Sequence, residues 1–110
     1  MKRGLFILLT VILISGCYSQ QTKTSNVEVG TNEIIIDNFA FNPSELTINS
    51  GTTLTWKNNH DVVHTIVSQN LFESKTLNKG EEFTFTFNAS GEYSYYCSIH
   101  PSMRGKVIVK

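Results

Sequence analysis

Charge of one sign, long apolar runs and helical periodicity are all scarce in this sequence. Lysine plus arginine number nine and so do aspartate plus glutamate. There is no basic patch suited to nucleic acid and no like-charge block of the kind that forms a disordered tail. Lys2 and Arg3 fall in a segment expected to be removed, which leaves seven basic residues against nine acidic ones, a balance of −2. The one long apolar run is too short to cross a bilayer as a mature helix. After residue 17 no stretch keeps a helical period, so little helix is expected. No internal repeat is present. At 110 residues there is room for one domain, and a monomer is expected. With only two cysteines and three histidines, any metal centre must draw on a very short roster of donors.

What is present begins with an export pattern. Met1-Lys2-Arg3 is a short basic start and Leu5 to Ile14 an apolar core, as in a secretory signal. The core ends in Ile14-Ser15-Gly16-Cys17, which resembles the bacterial lipobox, where cleavage before the cysteine leaves it N-terminal and lipidated. The resemblance implies residues 1–16 as signal peptide and a diacyl anchor on Cys17, since durable anchoring needs more than one chain. The expected location is therefore a membrane surface facing the periplasm or cell exterior. Residues 17–26 continue as a polar tether without aliphatic periodicity, and residues 27–110 form the expected domain.

That domain reads as all-β. The triple Ile of Glu33 to Asp37 suggests a strand buried on both sides or at a sheet corner. Phe39 and Phe41 are expected on one face before a turn at Asn42-Pro43. Leu46 with Ile48, Leu54 with Trp56, Phe83 with Phe85 and Phe87, and Val107 with Val109 each alternate with other residues. Period-two patterning with turn signals about every 8–12 residues points to a sandwich or barrel.

The chemistry gathers in Cys97-Ser98-Ile99-His100-Pro101-Ser102-Met103, where a thiol, an imidazole and a thioether recur every third residue. Hard cations want oxygen, which these side chains scarcely offer. Zinc accepts Cys and His but seldom a thioether. Cys, two His and a weak axial Met is the donor set of a blue-copper site. The second imidazole must come from His60 or His64, which lie close together after the Trp56 strand. His60 sits among Asn58, Asn59 and Asp61, the composition of an exposed turn tip. His64 precedes Thr65-Ile66-Val67, the start of another strand, where a side chain can be held rigidly. His64 is taken as the ligand and His60 as the alternative. There are no further His pairs for the additional coppers of an oxidase or nitrite reductase, and no second loop Cys for a binuclear centre. No enzymatic role is expected.

Several stretches together resemble the cupredoxin family, in its amicyanin, pseudoazurin and plastocyanin group. They are Phe39-Ala40-Phe41-Asn42-Pro43, Trp56-Lys57-Asn58, Asp61-Val62-Val63-His64-Thr65-Ile66, Gly80-Glu81-Glu82-Phe83, Gly91 to Cys97 and His100 to Val107. The resemblance implies a Greek-key β-sandwich of about eight strands with one type 1 copper held by His64, Cys97, His100 and Met103. It places Thr65 and Asn58 behind those ligands and implies single-electron exchange with redox proteins docking near His100. Ile99, Pro101 and Met103 are expected to form an apolar rim there. Tyr93 and Tyr95 should share the inward face of Cys97, and Tyr96 the opposite one. Relatives commonly have Pro where Val63 stands and Asn where Thr65 stands. A tethered protein that buffers or delivers copper is the alternative function. A sandwich without metal, with Cys97 free to pair with Cys17, is a further alternative.

Overall fold

The computed structural model describes residues 32–110 together with Gly4. The rest of the expected export segment, Cys17, the tether and residues 27–31 lie outside the described residues. Nine strands and no helix occur among the described residues: β1 (Glu33–Asp37), β2 (Ala40–Asn42), β3 (Glu45–Ile48), β4 (Thr52–Asn58), β5 (Val67–Ser68), β6 (Phe72–Glu73), β7 (Glu82–Phe87), β8 (Gly91–Tyr96) and β9 (Arg104–Val109). They form two sheets, ordered β2-β1-β4-β7 and β3-β9-β8-β5-β6. The chain passes repeatedly from one sheet to the other, so β1 lies parallel to β4 and β3 parallel to β9, while β8 and β9 are antiparallel neighbours. This is an all-β sandwich, with one strand more than the eight expected.

Alternation explains which side chains enter the core. Ile34 and Ile36 of β1, Leu54 and Trp56 of β4, and Val107 of β9 are all 0% exposed. Their neighbours in sequence point outward. Ile35 is only half-buried, so β1 is not covered on both sides. The sheet has one dry face, because no further layer of the described chain packs over its outer side. Trp56 forms the centre, with the rings of Phe72, Phe83, Phe87 and Tyr95 between 5.4 and 6.3 Å from its own.

Phe39 and Phe41 do not share a face. Asp37 pairs with Ala40, so Asn38 and Phe39 are the two central residues of a hairpin turn, with φ of 47° and 57°. Both left-handed positions belong to the primed turns that suit strand twist. Asn tolerates that region, whereas a bulky aromatic is strained there. Phe41 returns to the core at 4% exposure, while Phe39 stands out at 49%.

On β8 the expected alternation holds. Tyr93 is half-buried, Tyr95 and the following Cys97 are buried, and Tyr96, on the opposite side, is half-buried. Tyr95 fits because its neighbour across the ladder is Gly105. A Cβ at Gly105 would clash with the Tyr95 hydroxyl oxygen and Cζ. Burial, opposed by the Trp56 indole, pushes the Tyr95 phenol up to about 12. Gly105→Ala should therefore destabilise the domain by about 1–3 kcal/mol, read as a lowered urea midpoint. Adding Tyr95→Phe should recover part of that loss.

Candidate metal centre

The site lies at one end of the sandwich and is built from two connections. The first runs from the end of β4 to β5. Asn58, the last residue of β4, is 0% exposed and organises it. Its Nδ2 donates to the carbonyls of Val62 and Leu77, each at 2.9 Å, and its Oδ1 accepts the His60 N–H at 2.9 Å. Its backbone N–H donates to the Glu81 carbonyl, and its own carbonyl accepts from Gly80. A buried amide with every polar atom satisfied fixes the turn that carries His60 and delivers His64. His64 is then pinned by an isolated bridge to Leu77, through bonds of 3.1 and 2.8 Å.

The second connection is the β8–β9 loop. It closes on itself through Cys97 N–H to the Met103 carbonyl at 3.1 Å and Met103 N–H to the His100 carbonyl at 2.9 Å. This short double closure turns Met103 back toward Cys97. Met103 is only 4% exposed and belongs to the same buried cluster as Cys97, so it is not part of a surface rim. Ile99 and Pro101 are exposed, and Phe39 and Val63 add exposed apolar surface that was not expected. Phe39 covers the imidazoles edge-on, its ring centroid 4.6 Å from His60, 5.9 Å from His64 and 5.1 Å from His100.

One donor atom each from His64, Cys97 and His100 lies within 4.8 Å of the others, the first two buried and His100 half-buried. The atoms facing one another are His64 Nδ1, 3.7 Å from Cys97 Sγ, and His100 Nδ1, 3.8 Å from the same sulfur. His60 is not in this group. Desolvation, helped by His100 and His60 nearby, lowers the His64 pKa from 6.5 to about 4, so its imidazole is neutral with a free lone pair at neutral pH. The sulfur accepts the Thr65 N–H at 3.4 Å, with the Thr65 hydroxyl 3.8 Å away. That hydroxyl accepts the Ser98 N–H at 2.9 Å and lies 2.7 Å from the Ser98 hydroxyl. Thr65 thus ties the two connections together through one short hydroxyl-bearing side chain.

Two imidazole nitrogens and a shielded sulfur, with a thioether folded in beside them, fit copper rather than a hard cation. Residues 5–109 match the family model described as Cupredoxin-like domain. The chain belongs to the cupredoxin family. The amicyanin of Paracoccus versutus is 36% identical over 68% of this cupredoxin and 61% of its own length, so the match spans less than two thirds of that relative. A purple cupredoxin from Nitrosopumilus maritimus superposes with a TM-score of 0.69 at 39% identity, covering 71% of this chain and 98% of the other. A Cu-containing nitrite reductase from Thermus scotoductus SA-01 also superposes, at 32% identity and TM-score 0.66, but over only 22% of its length against 71% of this chain. The family carries one type 1 copper, and this cupredoxin has the donors for it.

Among sequence expectations, His60 changes most. It is half-buried rather than an exposed tip, and its ring meets His64. The signal for it was weak, namely a polar turn four residues before a ligand.

Two outcomes follow from this geometry. Asn58→Leu strands the His60 N–H and the Val62 carbonyl and leaves the Leu77 carbonyl with the His64 N–H alone, and should lower stability by about 2–4 kcal/mol in denaturant titrations. In the metal-free protein, the unfolded chain protonates His64 near pH 6.5 and the folded chain only near 4. Stability therefore falls as pH drops through that interval. Glu81, bonded by Lys75 and by Asn78, is held at about 2 against an ordinary 4.5, so it adds a second loss below 4.5. Urea midpoints measured down this range should show both limbs, and His64→Gln should flatten the upper one.

Proposed function

We propose that this cupredoxin is a mononuclear blue copper protein that carries single electrons between redox partners outside the cytoplasmic membrane, tethered there by a lipid on Cys17. His64, Cys97 and His100 would hold the ion, and Met103 would offer it a weak thioether donor. Bound in that set, copper supplies a one-electron Cu(I)/Cu(II) couple. The observation that carries the reading is the cluster of three donors drawn from two cross-braced connections. Each donor is restrained by backbone bonds or burial, so little has to move when the charge changes. The Thr65 N–H, aimed at the sulfur, stabilises negative charge there and so helps set the potential. Among the two imidazoles His100 is the more exposed, and Phe39, Val63 and Ile99 supply apolar surface beside it, which suits brief docking of a partner protein.

The burial of His64 and Cys97 favours retention over release, and so favours the carrier over a protein that buffers or delivers copper. Cu(II) added to the purified domain should produce an intense thiolate-to-copper band in the visible spectrum. A colourless product would reject the site. His100→Gly should accept exogenous imidazole yet slow electron self-exchange by on the order of tenfold or more. Unchanged exchange would remove His100 from the route, and fast copper release with slow exchange would favour delivery.

A further inference from the structure

Beyond the donors themselves, the half-buried imidazole of His60 is held more tightly than a surface histidine has reason to be. Its backbone N–H is bound by the buried Asn58 side chain. The Phe39 ring meets it edge-on at 4.6 Å and 88°, from a backbone position strained for an aromatic. Its Nδ1 lies 2.9 Å from His64 Nε2. The two rings are tilted by only 16°, yet their centroids stand 5.2 Å apart, too far for face-to-face contact at that tilt. Near-coplanar rings at this separation meet end to end, with one nitrogen of each in line. That is the geometry of an in-plane N–H···N bond.

We propose that His60 is a positioning residue for the metal centre, accepting the Nε2 proton of His64 on its own Nδ1 and so holding the His64 Nδ1 lone pair toward Cys97. The chemistry leaves little choice of direction. His64 Nδ1 faces the sulfur at 3.7 Å and must be unprotonated to donate to an ion. The neutral ring then carries its hydrogen on Nε2, inside a side chain that is 0% exposed. A buried N–H without an acceptor is costly, and His60 Nδ1 is placed to be that acceptor. His60 must in turn keep its own hydrogen on Nε2. Metal-binding histidines commonly donate their second N–H to a carboxylate, a backbone carbonyl or water, and that partner raises ligand basicity. Here the acceptor is another imidazole, a stronger base than an amide oxygen. The direction of the proton rests on His64 Nδ1 being a metal donor, as proposed above, but the tautomer can be read without the metal.

The test uses the wild-type protein with His60→Gln, which keeps an acceptor, and His60→Leu, which keeps bulk without one. Nitrogen-15 NMR of the metal-free wild type at mildly alkaline pH should show His64 protonated at Nε2. Protonation at Nδ1 would overturn the proposal and needs no variant to fold. His60→Leu should lose that single tautomer and bind Cu(II) about 10–100-fold more weakly, while His60→Gln stays within about threefold of wild type. Equal affinity in all three proteins, or equal loss in both variants, would also overturn it. Failure of the wild type to form a coloured copper complex would instead reject the copper reading and leave the tautomer measurement to decide the role of His60.

Discussion

The structure depends on keeping one cysteine sulfur dry while surrounding it with groups that tolerate or favour negative charge. Cys97 sits one residue past the end of β8, with no exposed surface. A bare thiolate in such a place would be heavily penalised. The Thr65 N–H and two imidazoles around the sulfur are the local answer. Each must itself be fixed, or desolvation would be relieved simply by moving away. The bridge between His64 and Leu77, the Asn58 amide and the double closure of the β8–β9 loop are therefore one device seen from three sides. A metal that binds adds to the same balance, because affinity for a preformed site is also stability of the fold that forms it.

How much of this could be read in the residues varies with the range of the interaction. The spacing of Cys97, His100 and Met103 is a local property of one loop, and it is visible directly. Alternation along β4, β7, β8 and β9 marks the inward faces, because each strand has one dry side. Ile35 was misleading, since a run of three isoleucines looks the same whether one face or both are covered. Phe39 was misread because a two-residue turn interrupts the alternation. Nothing in the local string shows a phenylalanine placed in a left-handed turn. His60 was misjudged for a related reason. Its polar neighbours suggest an open tip, while its actual environment comes from Asn58 folding under the turn and from Phe39 on a different hairpin. The parallel pairings of β1 with β4 and β3 with β9 likewise depend on crossings that no short window records.

Thr65 illustrates how a departure from the family pattern can be absorbed. The position keeps its main-chain donor to sulfur whatever the side chain is. What changes is the cross-link to the second connection, made here by a hydroxyl with the Ser98 amide and hydroxyl. A short group can do this only because the two connections lie close together.

The position of β9 has a consequence for the order of events in the cell. It is the last of the described strands, it lies beside β3, more than fifty residues earlier in sequence, and it anchors the far end of the donor loop. Loop closure across such a distance in sequence is slow compared with local hairpin formation. The donor cluster therefore cannot take shape until β9 has been made and has inserted next to β3. Ion capture thus waits on the β3–β9 pairing, and a chain without it offers the cell only scattered thiol and imidazole groups.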